Sequence, residues 1–213
     1  MSTLTVPATD APQSFRPLYF TWEKDFGKAL LDAGADPAGK KPSDDAFAKV
    51  MFGLSADEVA KSYDAVVKSQ DKDAYAKLYP GDPKNPKSVL RRPRLDVPAG
   101  TFVLSRTLLF GPGSGGMMGA GPEETVLKFS GDIPAIKQFN PCGFYNFAVE
   151  GGRTGIEITG DEHHAAEVML RKSYVAGDNY YNITFRNQAF AGMHIGTGDP
   201  AVMGGAEHDQ NKY

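Results

Sequence analysis

The sequence predicts a mostly β protein in which a helical N-terminal region precedes a parallel β-solenoid. Three observations lead to this fold class. The spacing of apolar residues changes from helical to alternating after Pro93. The 24 glycines among 213 residues indicate many tight turns. A segment containing two strands occurs twice. We therefore divide the chain into a helical region, residues 1–93, and a β region, residues 94–213.

The N-terminal region contains two short helical patterns. The first runs from Phe26 to Leu31 and is followed by Gly34. The second runs to Met51, and either Ser43 or Asp44 can cap its start. Apolar residues recur within it at helical spacing, which predicts a helix with one buried face.

A longer helix is predicted from Ser55 to Tyr79. Ser55 and Glu58 have the spacing of a capping box. Pro80 and Gly81 then end the pattern. The segment that follows, residues 81–93, is interpreted as turn and linker.

Short strands are predicted beyond Pro93. Alternation places strands at residues 95–97, 101–104 and 107–110, with the turn 98–100 between the first two. The glycine-rich segment GPGSGGMMGAGPEE then leads into a strand at residues 125–129. A phosphate-binding loop would need a helix at that point, so this segment is interpreted as a turn.

The internal repeat is the most informative feature of the β region. Tyr145–Glu150 recurs as Tyr181–Arg186, and Gly155–Ile158 after the first copy matches Gly192–Ile195 after the second. Repeated strands of this kind bury their inward side chains against the neighbouring copy. The stacking expected from this register places Phe147 and Val149 on Ile183 and Phe185, and Ile156 and Ile158 on Met193 and Ile195.

Three segments carry a family resemblance. GADPAGKKPSDDAFAKVM, LDVPAGTFVLSRTLLF and GAGPEETVLKF resemble the start of the pectate-lyase-like superfamily of right-handed parallel β-helices. In that family an Asp-Asp helix covers the end of the β-helix, a PAG turn joins two early strands, and a glycine-rich segment ending in Thr-Val opens the first full coil. The resemblance spans roughly residues 33–195 and implies a right-handed parallel β-helix capped by the helix at 44–51. The helix at 55–79 departs from the family pattern and is interpreted as an added docking or substrate-side element.

The resemblance implies a carbohydrate-active enzyme. Its substrate would be a polysaccharide laid along the outer face, cleaved by a glycoside hydrolase or a polysaccharide lyase. The net acidic charge of residues 101–213 slightly favours hydrolysis by paired carboxylates. Ca²⁺ would supply positive charge if the protein is a lyase, and no other cofactor is predicted. The competing class is a non-enzymatic solenoid that binds glycan or gives rigidity, as in a phage tail-spike or an adhesin.

Two candidate catalytic residues come from the repeat itself. If Ile156 and Ile158 point inward, Glu157 points outward, and His194 does the same in the next copy. Adjacent strands lie about 4.8 Å apart, so we expect the two side chains to be neighbours on an exposed face. A carboxylate beside an imidazole can act as a general acid and base. The alternative is a solvent-facing ladder pair.

Further candidates lie in a polar segment after the first copy of the repeat. Residues 161–167 contain three carboxylates and two imidazoles. With Asp199, His208 and Asp209 they could supply acid/base groups, substrate contacts or oxygen ligands for a hard cation. We assign Asp161 and Asp199 to catalysis and His163 to substrate binding. No metal ligand is assigned, because the spacing matches no defined metal motif. The alternative is an exposed polar loop.

Tyrosines cluster around the corners of the repeat. Tyr145, Tyr180 and Tyr181 are assigned to substrate binding, because sugar rings stack on aromatic faces. Tyr174 belongs to the same cluster. The alternative is that these rings cover the ends of the coils.

Two other pairs are interpreted as structural. The register places Glu150 over Arg186 as an outward ion pair, and Asn146 over Asn182 as an amide ladder. Neither pair is assigned a role in chemistry.

Partners and location follow from what the sequence lacks. No apolar run approaches the ~18 residues of a membrane helix, so no membrane partner is expected. The basic cluster at Arg91, Arg92 and Arg94 is interpreted as a solvated linker, so no nucleic acid is expected either. No signal peptide is visible, and localisation stays open, although the resembled family is mostly extracellular. The repeat ends without a cap. We therefore expect an incomplete solenoid that self-associates through its open C-terminal edge.

Overall fold

The structure is a computed structural model that describes residues 25–139, 142–159, 179–196 and 208–209. Within these residues no helix has the length and apolarity needed to cross a membrane. The helices are α1 (Lys28–Asp32), α2 (Asp44–Phe52), α3 (Ala56–Ser69) and α4 (Lys72–Leu78).

The described residues are mostly β, as predicted, and their parallel sheets curl into a half-barrel. The strands are β1 (Ala38–Pro42), β2 (Gly81–Asp82), β3 (Asn85–Val89), β4 (Leu95–Val97), β5 (Gly100–Leu104), β6 (Leu108–Phe110), β7 (Met117–Gly119), β8 (Thr125–Phe129), β9 (Pro134–Gln138), β10 (Gly143–Gly151), β11 (Thr154–Thr159), β12 (Asn179–Arg186), β13 (Ala191–Gly196) and β14 (His208–Asp209). A first sheet has the order β1-β5-β8-β10-β7-β4, with β12 also paired to β10, and a second has the order β14-β13-β11-β9-β6. Among the described residues the strand pairs of these two sheets are parallel, except that between β13 and β14.

The two copies of the repeat pair side by side in parallel, in the predicted register. Phe147 lies opposite Ile183 in the pairing of β10 with β12. Ile156 lies opposite Met193 in the pairing of β11 with β13. The stacking expected from the sequence is therefore confirmed.

Columns of apolar side chains form the interior, one side chain from each successive strand. In the first sheet Phe102, Leu127 and Val149 are register partners from β5 to β10, and each is fully buried. In the second sheet Ile136 and Ile156 are partners and are also fully buried. Each such side chain contributes about 1.5–3 kcal/mol by leaving water, so the columns hold the strands in register.

Helix α2 packs against the first strands of the β region. The Phe47 ring meets the Phe102 ring edge-on, with centroids 5.9 Å apart. The Asp44 carboxylate accepts hydrogen bonds from the backbone N–H groups of Ser105 and Arg106, each at 2.8 Å. Ser43 occupies the N-cap position, but its hydroxyl accepts from the backbone of Asp36 instead of from the helix. The helix start is thus confirmed, and Asp44 joins it to the turn after β5.

The predicted helix 55–79 is two helices, α3 and α4. The capping box of Ser55 and Glu58 is present at the start of α3. Gln70 then adopts a left-handed backbone, φ 53°, which ends α3. Asp71 begins α4 by accepting hydrogen bonds from the N–H groups two and three residues ahead. The prediction of one continuous helix is wrong because Gln70, the C-cap of α3, is followed directly by Asp71, the N-cap of α4.

Residues 25–93, the described part of the predicted helical region, are also less helical than predicted. β1 pairs in parallel with β5 and so belongs to the first sheet. The predicted linker at residues 81–93 contains the antiparallel hairpin β2–β3. Both β1 and the hairpin β2–β3 are short and polar, so the alternation of apolar and polar residues did not predict them.

Arg92 is not part of a solvated linker. Its guanidinium lies 4.6 Å from the centroid of the Phe52 ring and 5.5 Å from that of Tyr79, and it donates to the Leu78 carbonyl. Burial lowers the pKa of Arg92. The residue therefore anchors the end of α4 to α2, which is a structural role.

The turn between β4 and β5 is confirmed and depends on Gly100. Its φ is 147°, and a Cβ there would lie 2.5 Å from Cβ of Pro37. Only glycine fits without moving the chain that precedes β1.

Candidate functional site

A row of three polar side chains crosses the second sheet, one on each of three adjacent strands. Lys137 on β9 lies opposite Glu157 on β11. Glu157 in turn lies opposite His194 on β13. The alternation that sends Ile156 into the core sends Glu157 outward. The predicted adjacency of Glu157 and His194 is confirmed.

The expectation that this pair is exposed is wrong. Glu157 is 2% exposed and His194 is 5% exposed. One carboxylate oxygen of Glu157 lies 2.8 Å from Nη2 of Arg153, and the other lies 3.2 Å from Nζ of Lys137. A carboxylate at this depth needs cationic partners to offset its lost hydration. Glu157 is therefore the centre of a buried ionic cluster.

The imidazole of His194 lies beneath an exposed aromatic ring. The Phe190 ring meets it edge-on with centroids 5.4 Å apart, and Phe190 itself is 51% exposed. On its far side His194 pairs in register with Asp209 of β14. His194 thus lies at the end of the row, buried between the Phe190 ring and the pairing with β14.

Helix α3 lies against the opposite end of the row. The Tyr63 hydroxyl is 3.2 Å from Nζ of Lys137, and the ammonium lies 5.7 Å from the centroid of the same ring. The Tyr63 ring also packs on Phe139, with centroids 5.9 Å apart. The inserted helix therefore sets the position of Lys137, and through it the surroundings of Glu157.

Lys137 and Arg153 were not among the site residues predicted from the sequence. A signal for Lys137 exists, because the segment Pro134–Gln138 carries buried Ala135, Ile136 and Gln138 around it. Arg153 lies directly before β11 and reaches Glu157 four residues later. That contact depends on the local turn, which spacing alone does not predict.

The tyrosines assigned to substrate binding divide into two groups. The Tyr180 ring stacks on Phe144, with centroids 5.8 Å apart and an angle of 8°, and its hydroxyl donates to the Gln138 side chain at 2.6 Å. Tyr180 therefore packs with the core aromatics. Tyr145 and Tyr181 are register partners outside that stack, and Tyr181 is 47% exposed. Partial burial raises the pKa of Tyr145.

Glu150 and Arg186 are register partners, as predicted, but they take other ion-pair partners. Glu150 lies 2.9 Å from the Lys128 ammonium. Arg186 lies 2.7 Å from the Glu123 carboxylate. The predicted ion pair is therefore wrong, since each side chain pairs with a different opposite charge.

The amide ladder is confirmed. The Asn182 side chain donates to Oδ1 of Asn146 at 3.1 Å. Both residues have a left-handed backbone, which asparagine tolerates better than most residues.

Several predicted site residues lie outside the described residues. They are Asp161, His163, Asp199, Tyr174 and the rest of the polar segment 161–167. Within the part of the chain that the structure describes, no three or more His, Cys, Asp or Glu side chains are grouped so that they could hold a metal ion.

Comparison with known proteins adds no relative. No protein-family model, no curated protein and no solved structure matches the chain. The chemistry of the row is therefore argued from its own geometry.

Proposed function

We propose that the chain is a right-handed parallel β-helix with a helical N-terminal cap, and that it is a carbohydrate-active enzyme whose polysaccharide substrate binds along the outer face. The parallel, in-register stacking of successive strands supports the fold. The pectate-lyase-like sequence segments support the substrate class. The packing of Phe47 on Phe102 supports the capping role of α2.

The row of Lys137, Glu157 and His194 is the observation on which the proposed activity rests. Strands about 4.8 Å apart place these side chains at regular intervals across the sheet. Because Glu157 and His194 are buried, an extended glycan crossing the strands would first contact the exposed Phe190 ring that lies against His194. His194 is the member of the row that contacts the exposed Phe190 ring. The roles we propose are a general base for His194 and a positioning role for Glu157.

The local charge favours lyase chemistry over hydrolysis. Lys137, Arg153 and His194 surround the single carboxylate of Glu157. Both carboxylate oxygens of Glu157 are occupied by cations. A polyuronate lyase needs a base, and it needs cationic groups or Ca²⁺ to neutralise the substrate carboxylate. Hydrolysis needs a second carboxylate, and the candidates for that role are Asp161 and Asp199.

An activity panel tests the proposal. Polyuronates and neutral polysaccharides are incubated with the protein, with and without Ca²⁺, and followed by ultraviolet absorbance and by reducing ends. A lyase raises both signals, whereas a hydrolase raises reducing ends only. We expect His194→Ala to lower turnover by at least about 10²-fold, the size of a general-base contribution. Glu150→Gln is the control, because Glu150 is paired with Lys128 outside the row.

A non-enzymatic glycan-binding solenoid is the second candidate. Tyr145 and Tyr181 lie side by side on adjacent strands, and Tyr181 is half exposed. Sugar rings could stack there without any chemistry. Retardation of the protein in polysaccharide-containing gels, abolished by Tyr181→Ala and unaccompanied by turnover, would favour this alternative.

A further inference from the structure

A cavity of about 370 Å³ lies between the two helices α2 and α3 and the strands β6 and β9. Its volume is within the range of small-molecule sites. Its walls are mostly apolar, and the side chains that the argument uses are Met51, Phe52, Val59, Ala60, Leu108 and Leu109. Most of these belong to the inserted helix or to the helix that precedes it.

Two polar bridges hold α3 beside the second sheet. Arg106, in the turn after β5, lies 2.6 Å from the Asp57 carboxylate in the first turn of α3. Lys137 on β9 is bridged to the Tyr63 hydroxyl further along the same helix. Asp44 fixes the turn that carries Arg106. These specific contacts therefore fix the position of α3, which forms one wall of the cavity.

The polar side chains that line the cavity already have partners. The Thr107 hydroxyl donates to the Pro134 carbonyl at 2.7 Å. Asp64 is paired with Lys68 at 2.8 Å. Lys137 contacts both Glu157 and Tyr63. A charged ligand would therefore lose its hydration without gaining a dedicated partner, which is costly.

We propose that this cavity binds an uncharged, apolar small molecule through its apolar walls. The site is independent of the proposed glycan function, because its lining comes from α2, α3, β6, β9 and the turns before β6 and β9 and shares only Lys137 with the row. The apolar walls supply the binding free energy, about 25 cal/mol for each Å² of apolar surface removed from water. The two bridges hold α3 in the position where it forms one wall of the cavity.

Fluorescence titration tests the site. The probe is N-phenyl-1-naphthylamine, which is uncharged at pH 7 and brightens when it leaves water. We expect saturable binding to one site on the full chain. Ala60→Trp places an indole in the cavity and is expected to weaken binding by at least about tenfold, or 1.4 kcal/mol. Ala65→Trp, on the same helix but outside the lining, is the matched control and is expected to bind like the wild type.

A competition experiment on the wild-type protein needs no variant. Methyl cinnamate and cinnamate share a ring and differ in charge. We expect the ester to displace the probe at a concentration at least about tenfold lower, because the acid must bury a carboxylate. Unsaturable binding, equal binding by the two tryptophan variants, or stronger competition by cinnamate would each overturn the proposal. None of these outcomes bears on glycan cleavage, so the two proposals fail separately.

Discussion

Asn182 donates its side-chain amide to Asn146 across 3.1 Å, and the two residues share a left-handed backbone, with φ of 54° and 59°. Each residue marks the bend between the two halves of its strand, and the hydrogen bond joins the bends of neighbouring copies. The repeat is therefore held together at its corner as well as through its apolar columns.

Replacing Asn182 by alanine should destabilise the fold. The alanine loses a hydrogen bond, worth about 1 kcal/mol, and strains the left-handed backbone by about 1–2 kcal/mol. Asn182→Gly removes the same hydrogen bond but takes this φ without strain. Urea unfolding should show the larger loss of unfolding free energy for the alanine variant. Equal losses would show that the backbone conformation does not matter there.

Glu157→Gln should lower the free energy of unfolding by about 3 kcal/mol, since it leaves two cations beside a neutral side chain in a buried cluster. Glu150→Gln, which breaks a more exposed pair with Lys128, should cost less than about 1 kcal/mol. Both values come from chemical denaturation of the purified variants. A loss at Glu157 no larger than that at Glu150 would contradict the burial that defines the cluster.

Gly100→Ala should be far more damaging than Gly53→Ala. Both glycines have positive φ, 147° and 71°. A Cβ at Gly53 meets nothing within 4 Å, so its cost is backbone strain of about 1–2 kcal/mol. A Cβ at Gly100 would collide with Pro37. Thermal unfolding should therefore show a small shift for Gly53→Ala and a larger one for Gly100→Ala, and similar shifts would argue against close packing of Pro37 on this turn.

Glu58 should make stability depend on pH in the acid range. Hydrogen bonds from Ser55 and the nearby Lys77 lower the pKa of Glu58 from 4.5 to about 2. A lowered folded-state pKa contributes stability that is complete above the unfolded value and is lost as pH falls from 4.5 through about 2. The difference in melting temperature between wild type and Glu58→Ala should therefore shrink over that interval. A difference that stays constant down to pH 2 would show that protonation of Glu58 does not matter.

The sequence predicted the features that depend on local repetition. The two copies of the repeat have matching alternation, so Ile156 could be stacked on Met193 and Glu157 placed beside His194. The capping box at Ser55 was equally local. These predictions needed no knowledge of distant contacts.

The misses depend on side-chain partners and backbone conformations that residue spacing does not predict. Glu157 was expected to be exposed, since its cations Lys137 and Arg153 come from β9 and from a turn. The break at Gln70 depends on a left-handed residue that is not glycine. Glu150 and Arg186 are adjacent, yet Lys128 and Glu123 compete for them.

Ile156 pairs with Ile136 on one neighbouring strand and with Met193 on the other, although the chain between Ile156 and Met193 is much the longer connection. The length of the chain between two paired strands therefore has little effect on whether they pair, because the entropy cost of closing a loop rises only slowly with its length. Residues 160–178 occupy the longer connection in the sequence. A change in the length of that segment should therefore cost little free energy and leave the stacked strands in the same register.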